Sequence, residues 1–505
     1  MPDSIEKPVP AAAPRHEQHQ EQAGRRLFVD RPQIYPADVQ GRWRTIKWAM
    51  LIVLLAIYYV TPWIRWDRGP GIPDQAVLAD MAGRRLYFFW IEIWPQEVYY
   101  LTGMLIMAAV GLFLVTSMAG RIWCAYGCWQ TVWTDLFMWI ERKIEGPRND
   151  RIRLDKSPMT FDKFKKKTLK HIAWIIVSVL TGGAWVFYFN DAPTLMRDIV
   201  NFEVSTSVLG FVALFGGFCY VLAGFGREQV CIYVCPWRSF QSAMVDEDTF
   251  LVTYESWRGD GRAPLRKSQN WEERKAEGLG DCIDCKMCLH VCPTGTDIRK
   301  GQQISCIGCG LCIDACNDVM RHIGRPENLI RFDTISNQVS AQAGGEPVVK
   351  LIRPRTIIYS LILLTVASAM LVSLMMRPKL DVSVLRDRAP LYVTLSDGTV
   401  QNAYTIKILN KRHNVKSYVV TFDGLPASAT LAVANADASM IDPSGKSLTL
   451  SAEADSVATY RVFARVPAAQ VKAGSIDVTI RAQEKESGEL VSHGQAFELG
   501  DVQLV

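Results

Sequence analysis

The sequence predicts a multidomain protein with an α-helical membrane domain of five transmembrane helices, an inserted cysteine-rich α+β module and a C-terminal immunoglobulin-like β-sandwich. Three observations support this prediction. Five apolar runs are long enough to cross a bilayer, two runs of four cysteines lie between the last two of these apolar runs, and short alternating segments fill the C-terminal part. A chain of 505 residues can hold several domains of this size.

Composition limits the function classes. The net charge of +5 and the pI near 8.5 do not indicate a nucleic-acid-binding protein. All thirteen cysteines lie at or before Cys316, which argues against a disulfide-stapled secreted chain and fits thiolates kept reduced in the cytoplasm. The first forty residues have no apolar core and do not resemble a cleavable signal peptide. We expect residues 1–40 to be a disordered cytoplasmic segment.

The apolar runs predict the membrane plan. A span needs roughly 20 apolar residues to cross about 30 Å of hydrocarbon at 1.5 Å per residue. The predicted spans are approximately Trp48–Ile64, Val98–Met118, Ile172–Phe189, Ser207–Phe225 and Thr356–Met376. Leu86–Trp94 is also apolar, but it is too short to span, and we predict an interfacial segment there.

Basic residues predict the orientation of these spans. Residues 119–170 contain twelve Lys and Arg, whereas residues 190–206 contain Arg197 alone. The positive-inside bias places 119–170 in the cytoplasm and 190–206 outside. With five spans, the N-terminus and the cysteine-rich insert are then cytoplasmic and the C-terminal part is outside.

The cysteine-rich insert has the ligand spacing of two iron–sulfur clusters. Its first run is Cys282-x-x-Cys285-x-x-Cys288-x-x-x-Cys292-Pro293, and its second run is Cys306, Cys309, Cys312 and Cys316. In two-cluster ferredoxins the fourth cysteine of each run ligates the other cluster. We therefore expect a dicluster ferredoxin module with two [4Fe–4S] clusters. Cys282, Cys285, Cys288 and Cys316 would hold cluster 1, and Cys306, Cys309, Cys312 and Cys292 would hold cluster 2.

A pair of zinc sites is the alternative for this module. Structural zinc takes four ligands, usually from two CxxC knuckles. Two complete four-cysteine runs favour iron–sulfur clusters, although Asn317 replaces the proline that usually follows the fourth cysteine.

Two further cysteine pairs lie next to predicted spans. Cys124 and Cys128 follow the second span, and Cys231 and Cys235 follow the fourth, each pair after a Gly-Arg step. The repetition indicates an internal duplication, and cysteines at i and i+4 would share one helix face. Soft thiolates select Cu(I), zinc or iron–sulfur centres. We interpret these four as a candidate redox or copper site, and structural packing is the alternative.

The C-terminal part alternates as half-buried strands do. We predict strands over approximately Tyr404–Leu409, Ser417–Phe422, Ala429–Val433, Ser447–Leu450, Val457–Val466 and Ser475–Ile480. His413 and His493 are isolated, and we assign them no role. The predicted domains are therefore 1–40, a membrane domain 41–245, the ferredoxin-like domain 246–350, a fifth span 351–378 and the sandwich 379–505.

Several motifs together resemble one known family. They are GRIWCAYGCWQTVWTDLFMWIERKIEG from Gly120, REQVCIYVCPWRSFQSAM from Arg227 and GDCIDCKMCLHVCPTGTDIRKGQQISCIGCGLCIDACNDVM from Gly280. They resemble the FixG/RdxA/CcoG proteins, accessory proteins of cbb-type cytochrome c oxidase, and the resemblance covers nearly the whole chain. One departure is Trp129, because the first membrane pair of the family usually ends Cys-Pro.

The resemblance implies a function that spacing alone cannot give. It implies an oxidoreductase of the bacterial inner membrane, a cupric reductase that converts Cu(II) to Cu(I) on the cytoplasmic side for oxidase assembly. Cys124, Cys128, Cys231 and Cys235 would then act on copper, and the sandwich would be periplasmic. The implied partners are the lipid bilayer, copper ions, oxidase assembly factors, copper transporters or chaperones and an unidentified electron donor, with no nucleic acid.

Two other functions fit the same motifs. One is a membrane protein that oxidises quinol and feeds a periplasmic reductase. The other is a scaffold whose clusters sense redox state without turnover. Quinol oxidation by the purified protein would favour the first, and the absence of turnover with Cu(II) and a reductant would favour the second.

Overall fold

The structure is a computed structural model that divides into two compact units, one ending at Ser368 and the other beginning at Ala369. It describes residues 33–69, 72–266, 269–346, 349–377, 380–387, 389–412, 414–434, 440–454, 456–467 and 474–500. Most of the N-terminal segment expected to be disordered, and also His413, lie outside the described residues.

The helices of the first unit, in chain order, are α1 (Arg42–Val60), α2 (Tyr99–Ala119), α3 (Ile122–Tyr126), α4 (Trp129–Glu145), α5 (Arg148–Lys156), α6 (Phe161–Val186), α7 (Ala192–Asn201), α8 (Thr206–Cys219), α9 (Arg227–Gln229), α10 (Trp237–Met244), α11 (Ser256–Gly259), α12 (Trp271–Ala276), α13 (Met287–His290), α14 (Leu311–His322), α15 (Ile335–Gln342) and α16 (Pro354–Met375). Its strands are β1 (Val77–Asp80), β2 (Arg85–Phe88), β3 (Ile91–Ile93), β4 (Leu251–Tyr254) and β5 (Ile330–Asp333).

Five of these helices are long and apolar enough to cross a membrane, which confirms the predicted number of spans. The spans are Arg42–Trp63, Pro95–Ala119, Phe161–Val186, Thr206–Val234 and Pro354–Met375. The fourth is not a regular α-helix throughout, because α8 continues as π-helix over Tyr220–Gly226 and again over Val230–Val234. Such π-helical turns widen a helix locally and are frequent at functional sites.

Helix α4 packs among the membrane helices, although the predicted orientation placed the whole of residues 119–170 in the cytoplasm. Trp129 at its start packs on Trp185 near the end of α6, with ring centroids 6.0 Å apart. Glu145 at its end lies 2.9 Å from Lys170 near the start of α6. Helix α4 therefore runs antiparallel to α6, and its first residue, next to Cys128, lies level with the far end of that span.

A small antiparallel sheet, β1-β2-β3, replaces the predicted interfacial segment Leu86–Trp94. Its neighbouring loop is held by Arg68, whose guanidinium donates to the carbonyls of Phe89 at 2.8 Å and Ala76 at 3.0 Å. The sheet contacts the α6–α7 connection, since the Ala79 amide donates to the Tyr188 carbonyl at 2.8 Å. The connection that contains β1-β2-β3 and the α6–α7 connection therefore lie at the same end of the membrane helices.

The described residues just before α1 form a strap on the rest of the unit. The Tyr35 hydroxyl donates to Asp155 at 2.6 Å, and the Ala37 amide donates to the His290 carbonyl at 2.8 Å. Asp38 pairs with Arg142 at 2.8 Å. Residues 33–40 are therefore ordered by these contacts, in contrast to the expected disorder.

The cysteine-rich module is built around the antiparallel pair β4–β5. Its core is formed by apolar side chains of both strands and of α14 together with the ligand cysteines, including Val252, Ile313, Met320, Leu329 and Ile330. Helix α14 also caps α1, because the Asp314 carboxylate accepts the backbone amides of Trp43 at 3.2 Å and Arg44 at 2.8 Å. The module is thereby fixed to the start of the first membrane helix.

The second unit is a β-sandwich. Its strands are β6 (Leu380–Arg386), β7 (Val393–Thr394), β8 (Val400–Asn410), β9 (Lys416–Asp423), β10 (Thr430–Val433), β11 (Ser447–Ala452), β12 (Ser456–Val466), β13 (Gly474–Glu484) and β14 (Leu490–Gly500). One sheet has the order β10-β12-β8-β6, with β7 beside β8, and the other has the order β11-β9-β13-β14. All six predicted strands are present, and β6, β7 and β14 were not predicted.

Candidate metal centres

The strongest electrostatic interactions among the eight cysteines of the module fall into two sets of four, whose role as cluster ligands stays a prediction. We call Cys282, Cys285, Cys288 and Cys316 the first group. Burial and, to a smaller extent, the neighbouring charges of Cys288, Cys282 and Cys285 together raise the pKa of Cys316 to about 12. The last cysteine of the second run therefore lies with the first three cysteines of the first run.

The other four cysteines, Cys292, Cys306, Cys309 and Cys312, form the second group. Burial raises the pKa of Cys306 to about 12, with additional contributions from Cys309 and Cys292. The pKa of Cys312 is raised well above its usual value by burial, and Cys309, Cys306 and Cys292 act in the same direction. Cys292 is thus placed with the second run, as ligand exchange between the runs requires.

Both groups fit a [4Fe–4S] cluster by the chemistry of their donors. Buried thiols with raised pKa values become thiolates when a positively charged metal centre lies among them. In the second group, the amides of Gly308, Leu311 and Thr296 donate to the sulfurs of Cys306, Cys309 and Cys292, respectively. Hydrogen bonds to sulfur are among the features that set the reduction potential of such clusters.

Two glycines of the second run are required by the backbone. Gly308 and Gly310 have φ of +70° and +72°, which side chains rarely adopt. A Cβ on Gly310 would lie 2.8 Å from the Trp43 ring. The loop can therefore approach α1 closely only with glycine at this position.

The four membrane cysteines, Cys124, Cys128, Cys231 and Cys235, are brought together from the two halves of the membrane domain. The charges of Cys128 and Cys235 act on Cys124, and those of Cys128, Cys124 and Cys235 act on Cys231. The Cys124 thiol donates to Oε1 of the buried Gln241 at 3.1 Å. Among the described residues, no three His, Cys, Asp or Glu side chains are close enough to ligate one metal ion. The membrane cysteines are grouped without forming a ready four-thiolate site.

The expectation that each pair shares one helix face is wrong. Helix α3 ends at Tyr126, and the second π-helix ends at Val234, so Cys128 and Cys235 both follow a helix in extended conformation. Gly127 and Pro236 contribute to these endings, since neither residue favours continuing a helix.

The backbone nevertheless confirms that the two pairs are equivalent. Cys128 has φ, ψ of −72°, 130° and Cys235 has −74°, 115°. Each second cysteine donates its amide to the carbonyl five residues earlier, Trp123 at 2.9 Å and Val230 at 2.8 Å. A helix follows in both cases, beginning at Trp129 and at Trp237. Trp129 therefore occupies the first helical position, where proline is also favoured.

The second group packs directly against the first membrane pair. The Tyr126 hydroxyl donates to the Cys309 carbonyl at 2.8 Å. Ala125, Tyr126, Ile307, Cys309 and Leu311 belong to one buried apolar cluster, with Cys124 packed against it. Arg121 contacts the same region, because its guanidinium donates to the carbonyls of Ile304 and Arg238 and interacts electrostatically with Cys124, Cys306 and Cys235.

Comparisons with known proteins identify the family. A family described as a 4Fe-4S dicluster domain matches residues 226–335, and one described as a 4Fe-4S binding domain matches 101–147. The family described as the IG-like fold at the C-terminal of FixG matches 370–499. The nitrogen fixation protein FixG of Rhizobium meliloti is 42% identical over 489 residues, covering 92% of each chain. The chain belongs to the FixG/RdxA family.

Two further relatives support the assignment. Protein RdxA of Cereibacter sphaeroides is 48% identical and covers 79% of this chain and 84% of its own. Protein RdxB of the same organism is 41% identical and covers 93% of this chain and 97% of its own. With the five apolar helices and the 4Fe-4S domains, the family member described here is a membrane-bound iron–sulfur electron-transfer protein with an Ig-like C-terminal domain.

Sequence reasoning missed several residues that surround these centres. They are Arg121, which lies between two cysteine sets, Gln241, which binds the Cys124 thiol, and Asp314, which caps α1. The Gly-Arg step before each membrane pair was visible in the sequence, but nothing there indicated which charges each arginine would face.

Proposed function

We propose that this protein reduces Cu(II) to Cu(I) at the four membrane cysteines, and that the copper is used to assemble a cbb-type cytochrome c oxidase. The observation that carries this proposal is the contact between the second group and the first membrane pair. Tyr126, two residues after Cys124, is hydrogen-bonded to the backbone of Cys309, one of the expected cluster ligands. An electron acceptor bound at the membrane cysteines would therefore lie next to a cluster.

The chemistry of the residues is consistent with copper as substrate. We assign the first and second groups as the ligands of two [4Fe–4S] clusters, each of which can take up and release one electron when bound. Cu(II) reduction needs one electron. Thiolates favour the softer Cu(I) product. Cys124, Cys128, Cys231 and Cys235 would bind the ion, and Gln241 would orient the Cys124 sulfur.

The proposed orientation places the cysteine-rich module on the cytoplasmic side, so that electrons would reach the membrane cysteines from that side. Nine Lys and Arg lie between residues 148 and 170, after α4, and the positive-inside bias puts this segment in the cytoplasm. The connection between the first two spans, which contains the β1-β2-β3 sheet, would then be periplasmic, and so would the sandwich. Copper transporters or chaperones and oxidase assembly factors would receive the product, and a separate donor would supply electrons.

The test measures copper reduction in the complete protein. Anaerobic protein, with its clusters reduced chemically and excess reductant removed, is mixed with Cu(II), and Cu(I) is followed with a colorimetric chelator. We expect the double variant Cys231→Ser, Cys235→Ser to lose at least 90% of the rate (about 1.4 kcal/mol per factor of ten in a rate) while keeping its iron content.

The matched control is Cys219→Ser. Cys219 lies in the same span and is half-buried, but it packs on the apolar core around Leu51 and Trp174 and not with the membrane cysteines. This variant should retain the rate of the unaltered protein. Copper reduction that persists in the double variant, or that fails equally in both variants, would contradict the proposal. No turnover even in the unaltered protein would favour a redox-sensing scaffold.

A second function, quinol oxidation, is favoured by one observation. A cavity of about 240 Å³ is lined mainly by aromatic side chains, including Tyr58, Trp129, Trp133, Trp185 and Phe215, and Trp129 is the residue that follows Cys128. Apolar cavities with a few polar groups are common ligand sites, and a planar quinol ring suits aromatic walls. If a short-chain quinol reduces the clusters but Cu(II) does not reoxidise them, this function replaces the first.

A further inference from the structure

Arg121 is a buried cation that forms no ion pair with a carboxylate among the residues that the structure describes. Its guanidinium donates to the carbonyl oxygens of Ile304 and Arg238, and the residue is only 8% exposed. In the part of the chain that the structure describes, the strongest charges acting on it belong to Cys124, Cys306, Arg238 and Cys235. A buried charge is costly unless an opposite charge lies nearby, so cysteine sulfurs must supply the balance here.

Two comparable arginines are neutralised in the ordinary way. Arg227, the counterpart of Arg121 in the duplicated motif, lies 2.6 Å from Glu141. Arg299 acts on Cys288 of the first group, but it also pairs with Asp297 at 2.8 Å and with Asp284 at 2.5 Å. Arg258, which acts on Cys316 of the first group, is likewise paired with Asp281 at 2.7 Å, and Lys47, which acts on Cys309 of the second group, lies 3.9 Å from Asp135. Arg121, beside the second group, has no such pair among the described residues.

The difference in the pairing of these arginines affects the free energy of adding an electron to each cluster. A [4Fe–4S] cluster with four thiolates has a net negative charge that becomes more negative on reduction, so a nearby cation favours the reduced form. The second group also accepts amide hydrogen bonds from Gly308, Leu311 and Thr296, which act in the same direction. Burial opposes reduction, but the low dielectric that causes this cost also strengthens the attraction to Arg121.

The two groups also differ in the solvent exposure of one cysteine each. Cys285 of the first group is exposed, whereas Cys309 of the second group is buried against α3. A soluble or membrane-bound donor can therefore approach the first group most closely through Cys285. The second group is the one that adjoins the membrane cysteines.

We propose that Arg121 is a positioning residue for electron flow, giving the cluster of the second group the higher reduction potential. With both clusters bound, one electron from a one-electron donor would enter at the first group near Cys285, pass to the second group, and leave beside Arg121 to reduce one Cu(II) to Cu(I) at the membrane cysteines. No proton or bond change accompanies this transfer. The direction of exit rests on the proposed function, but the order of the two potentials does not.

The test is an anaerobic redox titration followed by EPR, with iron content measured first. One electron distributes between the two clusters according to the difference between their reduction potentials. We expect Arg121→Gln to change this distribution at least tenfold in favour of the first group, which is a change of 59 mV in the potential difference. Arg121→Lys retains the charge but cannot bridge both carbonyls, and it should stay within about threefold of the unaltered protein. Arg197→Gln removes an exposed arginine from α7 and should change nothing.

Several outcomes would overturn the proposal. No shift in Arg121→Gln, or equal shifts in Arg121→Gln and Arg121→Lys, would show that the charge does not set the potentials. If Arg121→Gln fails to bind its iron, Cys285→Ser decides, because it changes a ligand of the first group alone. The proposal predicts that Cys285→Ser changes the lower of the two reduction potentials. A change in the higher reduction potential would refute the proposed order. These measurements use no copper, so failure of the proposed function does not affect them.

Discussion

Replacing Glu141 by Gln should strongly destabilise the membrane domain. Glu141 is fully buried, and its carboxylate lies 2.6 Å from Arg227 and 3.9 Å from both Arg151 and Lys170. Glutamine has nearly the same shape, so the substitution removes the charge and leaves the packing volume unchanged. Lys170 retains Glu145 at 2.9 Å, whereas Arg227 and Arg151 lose their buried counter-charge.

The expected loss is about 3–5 kcal/mol of unfolding free energy, because removing one partner of a buried ion pair leaves the other charge uncompensated. At about 1.4 kcal/mol per factor of ten, this is a change of two to almost four orders of magnitude in the folding equilibrium. The double variant Glu141→Gln, Arg227→Gln should lose less than the sum of the two single variants, because it removes both members of the pair.

The assay is unfolding of the purified protein from mild detergent into increasing dodecyl sulfate, followed by tryptophan fluorescence. Asp162→Asn is the matched control, because Asp162 pairs with Lys166 at 2.9 Å on the exposed surface of α6. Such surface pairs contribute about 0.3–0.5 kcal/mol. A loss for Glu141→Gln below about 1 kcal/mol, or equal to that of Asp162→Asn, would refute the reasoning.

Two further predictions concern other parts of the chain. Gly310→Ala places a Cβ 2.8 Å from the Trp43 ring at φ +72°, whereas Gly278→Ala at φ +70° meets nothing within 4 Å. The control Gly278→Ala should therefore lose only about 1–2 kcal/mol of unfolding free energy, because of its backbone conformation. Gly310→Ala should lose more unfolding free energy than the control, and it should bind less iron than the unaltered chain. Leu450→Ala in the sandwich core, where Leu450 is fully buried, should cost about 2–5 kcal/mol, against less than about 0.5 kcal/mol for the exposed Leu490→Ala. Equal iron content in the two glycine variants, or equal melting temperatures in the two leucine variants, would contradict these expectations.

The sequence was sufficient for features that depend on local patterns. Apolar length predicted five spans, and alternation predicted six strands, because hydropathy and period 2 are properties of consecutive residues. The grouping of Cys316 with the first run followed from the known exchange of ligands between two cysteine runs. These predictions needed no knowledge of which distant side chains meet.

Helix α4 shows why other features could not be predicted. Its sequence contains Asp135, Glu141 and Glu145, so it does not resemble a buried membrane segment. In the structure each carboxylate meets a cation that is distant in sequence, with Arg44 at 2.9 Å from Asp135 as one example. Hydropathy sums count such residues as exposed charges, although their pairing allows burial. The same limit applies to Arg121, whose partners come from three separate segments.

The duplicated motif explains how one membrane domain can have a directional site. Both halves supply a Gly-Arg step, a helix and a cysteine in the same extended conformation, so the two pairs can converge. The halves then diverge in what their arginines face, because Arg227 meets Glu141 while Arg121 meets the sulfurs near Cys306. The two pairs thus share the backbone conformation of their second cysteine, whereas the charges that surround their arginines differ. In the transfer that we propose, an electron approaching from the module would meet Arg121 first, and this difference between the two halves would give the transfer its direction.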